Sequence, residues 1–365
     1  MYLKDSKIIV IKIGSSLLID DKKKVRKKWL TEFAKDIQEL IKQNKKIIIV
    51  SSGAIAMGCK KLNISKKNLK IDKSQAVASI GQIELMNLFS LTFAKYKLDI
   101  SQILLTLEDT EERRRSLNAR RTFENLFKIG AIPIVNENDT TATSEIKYGD
   151  NDRLAARVAQ IVGADTLIIF TDVDGLYKNN NTKKKLIKEV KILNKEILAS
   201  AEKKRSAYGS GGMATKLDAA KICMNSGCKM YITNGQYLNP LSKLIKNETY
   251  TCFYPKISKL DARKKWIISS INSSAKICID EGACKALSNK KSLLAAGITE
   301  VLGVFKKGEN ILVIDGRGNE IARGLSSFTS KEINKIKGLH SSQIENILGY
   351  SSKSEVIHKN DIVIF

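Results

Sequence analysis

Between residues 7 and 255, short runs of β-branched and other apolar residues alternate with longer amphipathic stretches, and this alternation constrains the fold more than any other feature of the chain. It predicts an α/β architecture: βαβ units building a mostly parallel sheet sandwiched by helices. The apolar runs at 8–13, 47–50, 103–105, 132–135, 167–170 and 230–232 read as strands buried on both faces. Val25, Trp29, Phe33, Ile37, Leu40 and Ile41 recur at the spacing of one helix face, as do Leu154, Val158, Ile161 and Val162. Both stripes are core.

From about residue 257 the pattern changes to short alternating strands broken by glycine, as in Gly303-Val304-Phe305, 310–314 and 320–324, with Asp315-Gly316 as a hairpin turn. A chain of 365 residues also exceeds the roughly 250 to 300 at which single cores stop growing. The expectation is a catalytic α/β domain over 1–257, a linker over 258–275 that includes the charged 260–266 stretch, a small β-rich domain over 276–354 and a C-terminal extension over 355–365. The polar stretch Lys178 to Lys185 reads as a mobile loop.

The net charge of +25 raises the question of a polyanionic partner. Its distribution argues for a lysine-rich solvated surface instead, because the excess is +18 over residues 1–255 and +7 over 256–365, nearly proportional to length. The six cysteines, Cys59, Cys223, Cys228, Cys252, Cys278 and Cys284, lack the close paired spacing of a zinc site and read as reduced thiols. No secretory leader is legible, and no uninterrupted apolar run approaches the roughly 18 residues of a membrane span, so a cytoplasmic protein without a membrane partner is expected.

Six stretches carry chemistry. Ile11-Lys12-Ile13-Gly14-Ser15-Ser16 places a lysine inside a strand and a small-residue turn at its carboxyl end, where open α/β sheets bind ligands. Lys12 therefore either faces an anionic ligand or pairs with a structural carboxylate. Ser51-Ser52-Gly53-Ala54 and Thr171-Asp172 occupy two further strand ends, where an ordinary strand-to-helix turn and a surface turn are the simpler readings. Asn136-Glu137-Asn138-Asp139 and Gly149-Asp150-Asn151-Asp152 crowd amides and carboxylates where a strand ends and a helix begins. Asp152 suits an N-cap, whereas Asn136, Asp139, Asp150 and Asn151 suit recognition of an ammonium group or indirect support of Mg²⁺. Finally, Gly209-Ser210-Gly211-Gly212-Met213-Ala214-Thr215-Lys216 is a glycine-rich loop opening a helix, able to hold phosphate on free N–H groups although it does not match the spacing of a P-loop.

The only histidines, His340 and His358, lie beyond the α/β domain, so no histidine there serves as a general base or metal ligand. A carboxylate acceptor needs none, since it is already ionised at pH 7. Its difficulty is approaching an anionic phosphoryl group, a repulsion of about 4 kcal/mol at 4 Å and an effective dielectric near 20. Lysines, loop amides and Mg²⁺ are what that chemistry requires.

Taken in order, these stretches resemble the glutamate 5-kinase branch of the amino-acid kinase family. The lysine-glycine strand and the Ser-Gly-Ala turn are common to the wider family, and the Asn-Glu-Asn-Asp, Gly-Asp-Asn-Asp and Gly-Gly-Met-x-Thr-Lys combination is the sharper part. Residues from about 276 to 354, with Asp280-Glu281-Gly282-Ala283 and Gly303 to Gly308, resemble a PUA domain. The resemblance implies phosphorylation of the side-chain carboxylate of L-glutamate by ATP with Mg²⁺, as the first step of proline biosynthesis. It implies catalysis by Lys12, Lys216 and Asp152, with no metal ligands among the site residues. ATP would contact Lys12, Thr171, Asp172, Ser210, Gly211, Gly212, Met213, Ala214, Thr215 and Lys216. Glutamate would contact Ser52, Gly53, Ala54, Asn136, Asp139, Asp150 and Asn151. It further implies feedback inhibition by proline, a homo-oligomer, and handover of product to a glutamyl-phosphate reductase. Ser51 and Ser210 stand where threonine is usual, which preserves the hydroxyl. The alternatives are an amino-acid kinase for N-acetylglutamate, carbamate or aspartate, and an RNA-binding PUA protein.

Overall fold

The computed structural model describes residues 3–20, 24–65, 69–142, 151–179, 184–202, 212–246, 249–262 and 275–365. Two compact units divide the chain, Met1–Lys259 and Leu260–Phe365. In the first, β1 (Ile8–Ile13), α1 (Ser15–Leu18), α2 (Lys27–Lys42), β2 (Lys46–Ser51), α3 (Ala54–Lys61) and α4 (Ile71–Ala94) lead to β3 (Ile100–Leu105), α5 (Leu107–Glu111), α6 (Arg113–Ile129) and β4 (Ile132–Glu137). The chain continues through α7 (Asn151–Val162), β5 (Thr166–Thr171), β6 (Tyr177–Asn179), β7 (Lys184–Leu186), β8 (Glu189–Val190) and α8 (Lys195–Glu202). It then forms α9 (Met213–Asn225), β9 (Lys229–Asn234), α10 (Pro240–Lys246) and β10 (Thr251–Phe253). Every strand expected in this unit is present, most of them longer by one or more residues.

The main sheet runs β3-β4-β2-β1-β5-β9-β10-β8, parallel throughout except where β10 lies antiparallel to β9. Strand β1 is the topological switch point: the chain leaves it towards β2 on one side and later returns to β5 on the other. Clefts of this kind at the carboxyl edge are where open α/β sheets bind ligands.

Side chains alternate between the faces of a strand, and the two cores follow that period. Ile9, Ile11 and Ile13 of β1 join Trp29, Phe33, Leu85, Phe89 and Phe93 in the layer of α2 and α4. Val10 joins Phe123, Leu154, Val158, Leu217 and Ala220 in the layer of α6, α7 and α9. Lys12 shares the parity of Val10, so the one charged residue of β1 faces α7 and α9.

Helix α4 is long and apolar enough, by length and composition alone, to span a bilayer. Val77, Gly81, Leu85, Phe89 and Phe93 are nonetheless buried in the core, as in a helix of a folded domain. Of the stretch expected as a mobile loop, residues 180–183 lie outside the described residues, and its two ends belong to β6 and β7, which pair antiparallel as Tyr177↔Leu186, Lys178↔Lys185 and Asn179↔Lys184.

In the second unit a five-stranded sheet orders Ile298–Leu302, Lys276–Ile279, Asn310–Asp315, Glu320–Leu325 and Ile362–Ile364. Gly303-Val304-Phe305, expected above as a strand, is not one. The strand ends at Leu302, Gly303 turns the chain at φ +78°, and Phe305 is buried. The Asp315 turn does form, its carboxylate accepting from the backbone N–H groups of Arg317 and Asn319 at 2.9 and 2.8 Å. Residues 355–365, set apart above as an extension, carry Glu355–Ile357 and Ile362–Ile364, which pair with Leu293–Leu294 and Glu320–Leu325. Residues 263–274 of the expected linker lie outside the described residues.

Helices α3 and α4 meet through glycine. A Cβ on Gly58 would stand 2.0 Å from the Val77 carbonyl oxygen, and one on Gly81 would stand 1.8 Å from that of Ala54. Backbone cannot move aside as a flexible side chain can. Gly81→Ala is therefore expected to lower stability by about 1–3 kcal/mol through overpacking. Thermal unfolding checks this, and a melting temperature equal to wild type would show that the two helices can separate freely.

Candidate active site

Among the described residues, the expected ones lie at the carboxyl ends of β1, β2, β4 and β5 and at the amino ends of α7 and α9. Lys12 approaches from β1, and Asp152 lies in the first turn of α7 with 1% of its surface exposed. Lys216 approaches from the first turns of α9 and is also buried. Lys12 Nζ stands 2.7 Å from Asp152 Oδ1, and Lys216 Nζ stands 3.0 Å from Oδ2. The Thr215 hydroxyl lies 3.2 Å from the same Oδ2 and 2.8 Å from the Gly212 carbonyl. Asp152 thus holds two lysines instead of acting mainly as the expected N-cap. Burial by itself raises its pKa, but the ammonium groups of Lys12 and Lys216 outweigh that and hold it well below the usual carboxylate range.

Two buried ammonium groups share one carboxylate, so among the described residues the cluster keeps one positive charge in excess. The amino end of α9 adds to it, because its N-cap Gly212 supplies no side-chain acceptor and the helix dipole places positive potential there. Chemically this is a receptor for a polyanion, with the two lysines as point charges.

A second cluster adjoins it through Asn151. The Asn151 Nδ2 stands 2.9 Å from each of the Ser51 carbonyl, the Ser52 hydroxyl and Asn136 Oδ1, its two hydrogens shared among the three. Asn136 Oδ1 also accepts from the Glu137 N–H at 2.9 Å, and its Nδ2 donates to Gln82 Oε1 at 2.7 Å. Gly53, at φ +117°, makes the turn from β2 into α3 that sets Ser52 and Ala54 here, a conformation glycine adopts without strain.

Asp139 is half-buried beyond β4, and desolvation raises its pKa to about 6. It lines a cavity of about 140 Å³ together with Gln82, Asn138 and Thr140. Thr171 and Asp172 stand at the end of β5, where the Thr171 hydroxyl donates to Asp172 Oδ1 at 2.9 Å rather than to the lysine cluster. Met213 and Ala214 open α9 beside Thr215. Asp150, Ser210 and Gly211 lie outside the described residues.

Sequence reading missed Gln82. Its signal was present: a glutamine among Ala78, Gly81, Leu85 and Phe89 on the buried stripe of α4 is a polar group where the helix period demands an apolar one.

Residues 7–234 match the family model described as "Amino acid kinase family", and residues 275–348 match that of the PUA domain. A glutamate 5-kinase of Pelagibacter ubique is 71% identical over 366 residues, covering 100% of each chain. One from Paramagnetospirillum magneticum is 46% identical over 363 residues, covering 98% of each. Among solved structures, carbamate kinase from Giardia lamblia bound to AMP-PNP aligns with a TM-score of 0.50 at 16% identity, covering 69% of this chain and 100% of that one. That likeness shows the fold of the first unit.

The buried cluster predicts a stability effect. Asp152→Asn would leave two buried ammonium groups without their shared counter-charge, at an expected loss of about 3–5 kcal/mol. Urea unfolding measures it. A loss below 1 kcal/mol would mean that both lysines escape to solvent once released.

Proposed function

We propose, on the premise that this chain belongs to the amino acid kinase family, that it transfers the γ-phosphoryl group of ATP to the side-chain carboxylate of L-glutamate. The product is L-glutamyl 5-phosphate, the first intermediate of proline biosynthesis. The observation that carries this reading is the full-length 71% identity to a glutamate 5-kinase, and the two adjoining clusters support it chemically.

The transfer needs no proton movement. An oxygen of the ionised γ-carboxylate bonds to the γ-phosphorus, the bond from that phosphorus to the bridging oxygen breaks, and ADP leaves with the electron pair. Lys12 and Lys216 offset the charge that builds on the transferring oxygens, and Asp152 holds both ammonium groups on one side of the path. Thr171, Asp172 and the segment from Ser210 to Lys216 take the nucleotide. Ser52, Gly53, Ala54, Asn136, Asp139, Asp150 and Asn151 take the amino acid, with Asp139 facing its ammonium group.

Mg²⁺ enters this reading as part of the nucleotide. Among the described residues no group of three His, Cys, Asp or Glu side chains converges, and both oxygens of Asp152 are taken by lysines. No step is assigned to a metal held by the protein alone. Proline, with its α-carboxylate and cationic nitrogen, fits the α end of the same pocket without reaching the lysines, which makes it a competitive inhibitor in this reading. A homo-oligomer and a reductase that consumes the acyl phosphate complete the reading.

Two outcomes are expected. Lys12→Ala and Lys216→Ala each lower kcat by about two to three orders of magnitude in an ATP-dependent hydroxamate assay, as removal of a transition-state charge partner does. A folded variant with near-normal turnover would remove that lysine from the mechanism. Asp139 is ionised above about pH 6 and neutral below it. The KM for glutamate should therefore rise as pH falls through that value, while the KM for ATP stays level. In Asp139→Asn the glutamate KM should be high and flat with pH. An acid limb that persists in this variant would assign the titration to another group.

A further inference from the structure

We infer that Gln82 binds the acceptor directly, its side-chain amide donating a hydrogen bond to a carboxylate oxygen at the α end of the amino acid. The inference deepens the glutamate kinase reading and rests on it.

Two backbone groups of fixed polarity orient the amide chain. The Ser51 carbonyl only accepts, so the amide it meets at 2.9 Å is Asn151 Nδ2, and Asn151 Oδ1 is left over. The Glu137 N–H only donates, so it fixes Asn136 Oδ1 at 2.9 Å and turns Asn136 Nδ2 towards Gln82. Gln82 must then present Oε1 at 2.7 Å, which leaves Nε2 as its free end. None of these assignments depends on guessing an amide flip.

Both free ends are buried. Gln82 is 9% exposed and its Nε2 has no partner, and Asn151 is 3% exposed with its Oδ1 equally unpaired. Buried amides without partners are uncommon, and here the two leftovers are one donor and one acceptor at opposite ends of a three-amide chain. That polarity matches the carboxylate and the ammonium of an amino acid. The γ-carboxylate has to reach Lys12 and Lys216 around Asp152, which adjoins Asn151. Gln82 stands at the far end of the relay and so meets the α-carboxylate. It also lines the cavity that holds Asp139.

Gln82→Glu is the discriminating variant, because it keeps an acceptor for Asn136 and replaces the free donor by an oxygen. The full chain is assayed by hydroxamate formation with L-glutamate and with its α-carboxamide, isoglutamine. The expected result is a glutamate KM raised about 10- to 100-fold, the weight of a hydrogen bond to a charged group, with the ATP KM unchanged. The preference for glutamate over isoglutamine should fall with it, since a carboxylate at position 82 repels the acid and accepts from the amide. An unchanged preference would overturn the inference, whether or not activity drops. If Gln82→Glu fails to fold, Gln82→Met serves: reduced preference supports the inference, and wild-type preference with a lowered melting temperature reduces Gln82 to a structural link. Wild-type enzyme inactive on glutamate would instead refute the kinase reading itself.

Discussion

The two lysines that converge on Asp152 are the interaction on which the rest of the structure depends. Burying an ion is costly, and three ions within 3.0 Å of their partners are tolerable only if backbone holds them rigidly. Each comes from a different element: a central strand, the first turn of α7 and the opening turns of α9. The sheet order explains why they meet. Strand β1 is flanked by β2 and β5, and α7 precedes β5 directly, so the amino end of α7 lands over the carboxyl end of β1. Parity then decides which layer receives the charge. Moved by one position along β1, a lysine would point into the layer of Trp29, Phe33 and Phe89, where no described carboxylate of the cluster could meet it.

The acceptor side is held by a different device, a relay of neutral amides fixed at two points to backbone. Hydrogen bonds among amides do not repel one another as charges do, so this cluster can be built next to the lysines without disturbing their balance. Its far member, Gln82, is placed by the approach of α4 to α3, where Gly81 lies against the Ala54 carbonyl. That contact ties Gln82 to the turn carrying Ser52 and Gly53. The geometry of one side of the pocket is therefore set by the absence of two Cβ atoms, at Gly58 and Gly81, as much as by any polar group.

Much of this was legible in the chain itself. Periodicity located the strands, because strands buried on both faces leave uninterrupted apolar runs. Lys12 stood out for the same reason, as a charge inside such a run. Asp152 was harder to read: at a helix start an aspartate is an ordinary cap, and only the tertiary fold brings Lys12 and Lys216, 140 and 64 positions away, onto its two oxygens. Gln82 was missed because a single glutamine in a long apolar helix carries no motif, and its meaning appears once Asn136 is seen at 2.7 Å. The assignment of Gly303-Val304-Phe305 to a strand failed because alternation continues through Phe305 while the backbone turns at Gly303.

Charge offers the last step. The excess of +25 is spread over the surface, where solvent and salt screen it, and it therefore says little about what the protein binds. The net positive charge that Lys12, Asp152 and Lys216 carry together is screened far less, because all three side chains are at most 10% exposed. An anion entering there meets a field that bulk salt weakens little, and the same field favours the acyl-phosphate transition state, in which two anions are pressed together. Asp139 completes the logic with the opposite sign. Its carboxyl is desolvated enough for its pKa to rise to about 6, so at neutral pH it is a destabilised anion that a ligand's ammonium group would relieve. The pocket thus places a surplus positive charge at one end and a strained negative charge towards the other, and a dicarboxylic amino acid is complementary to both.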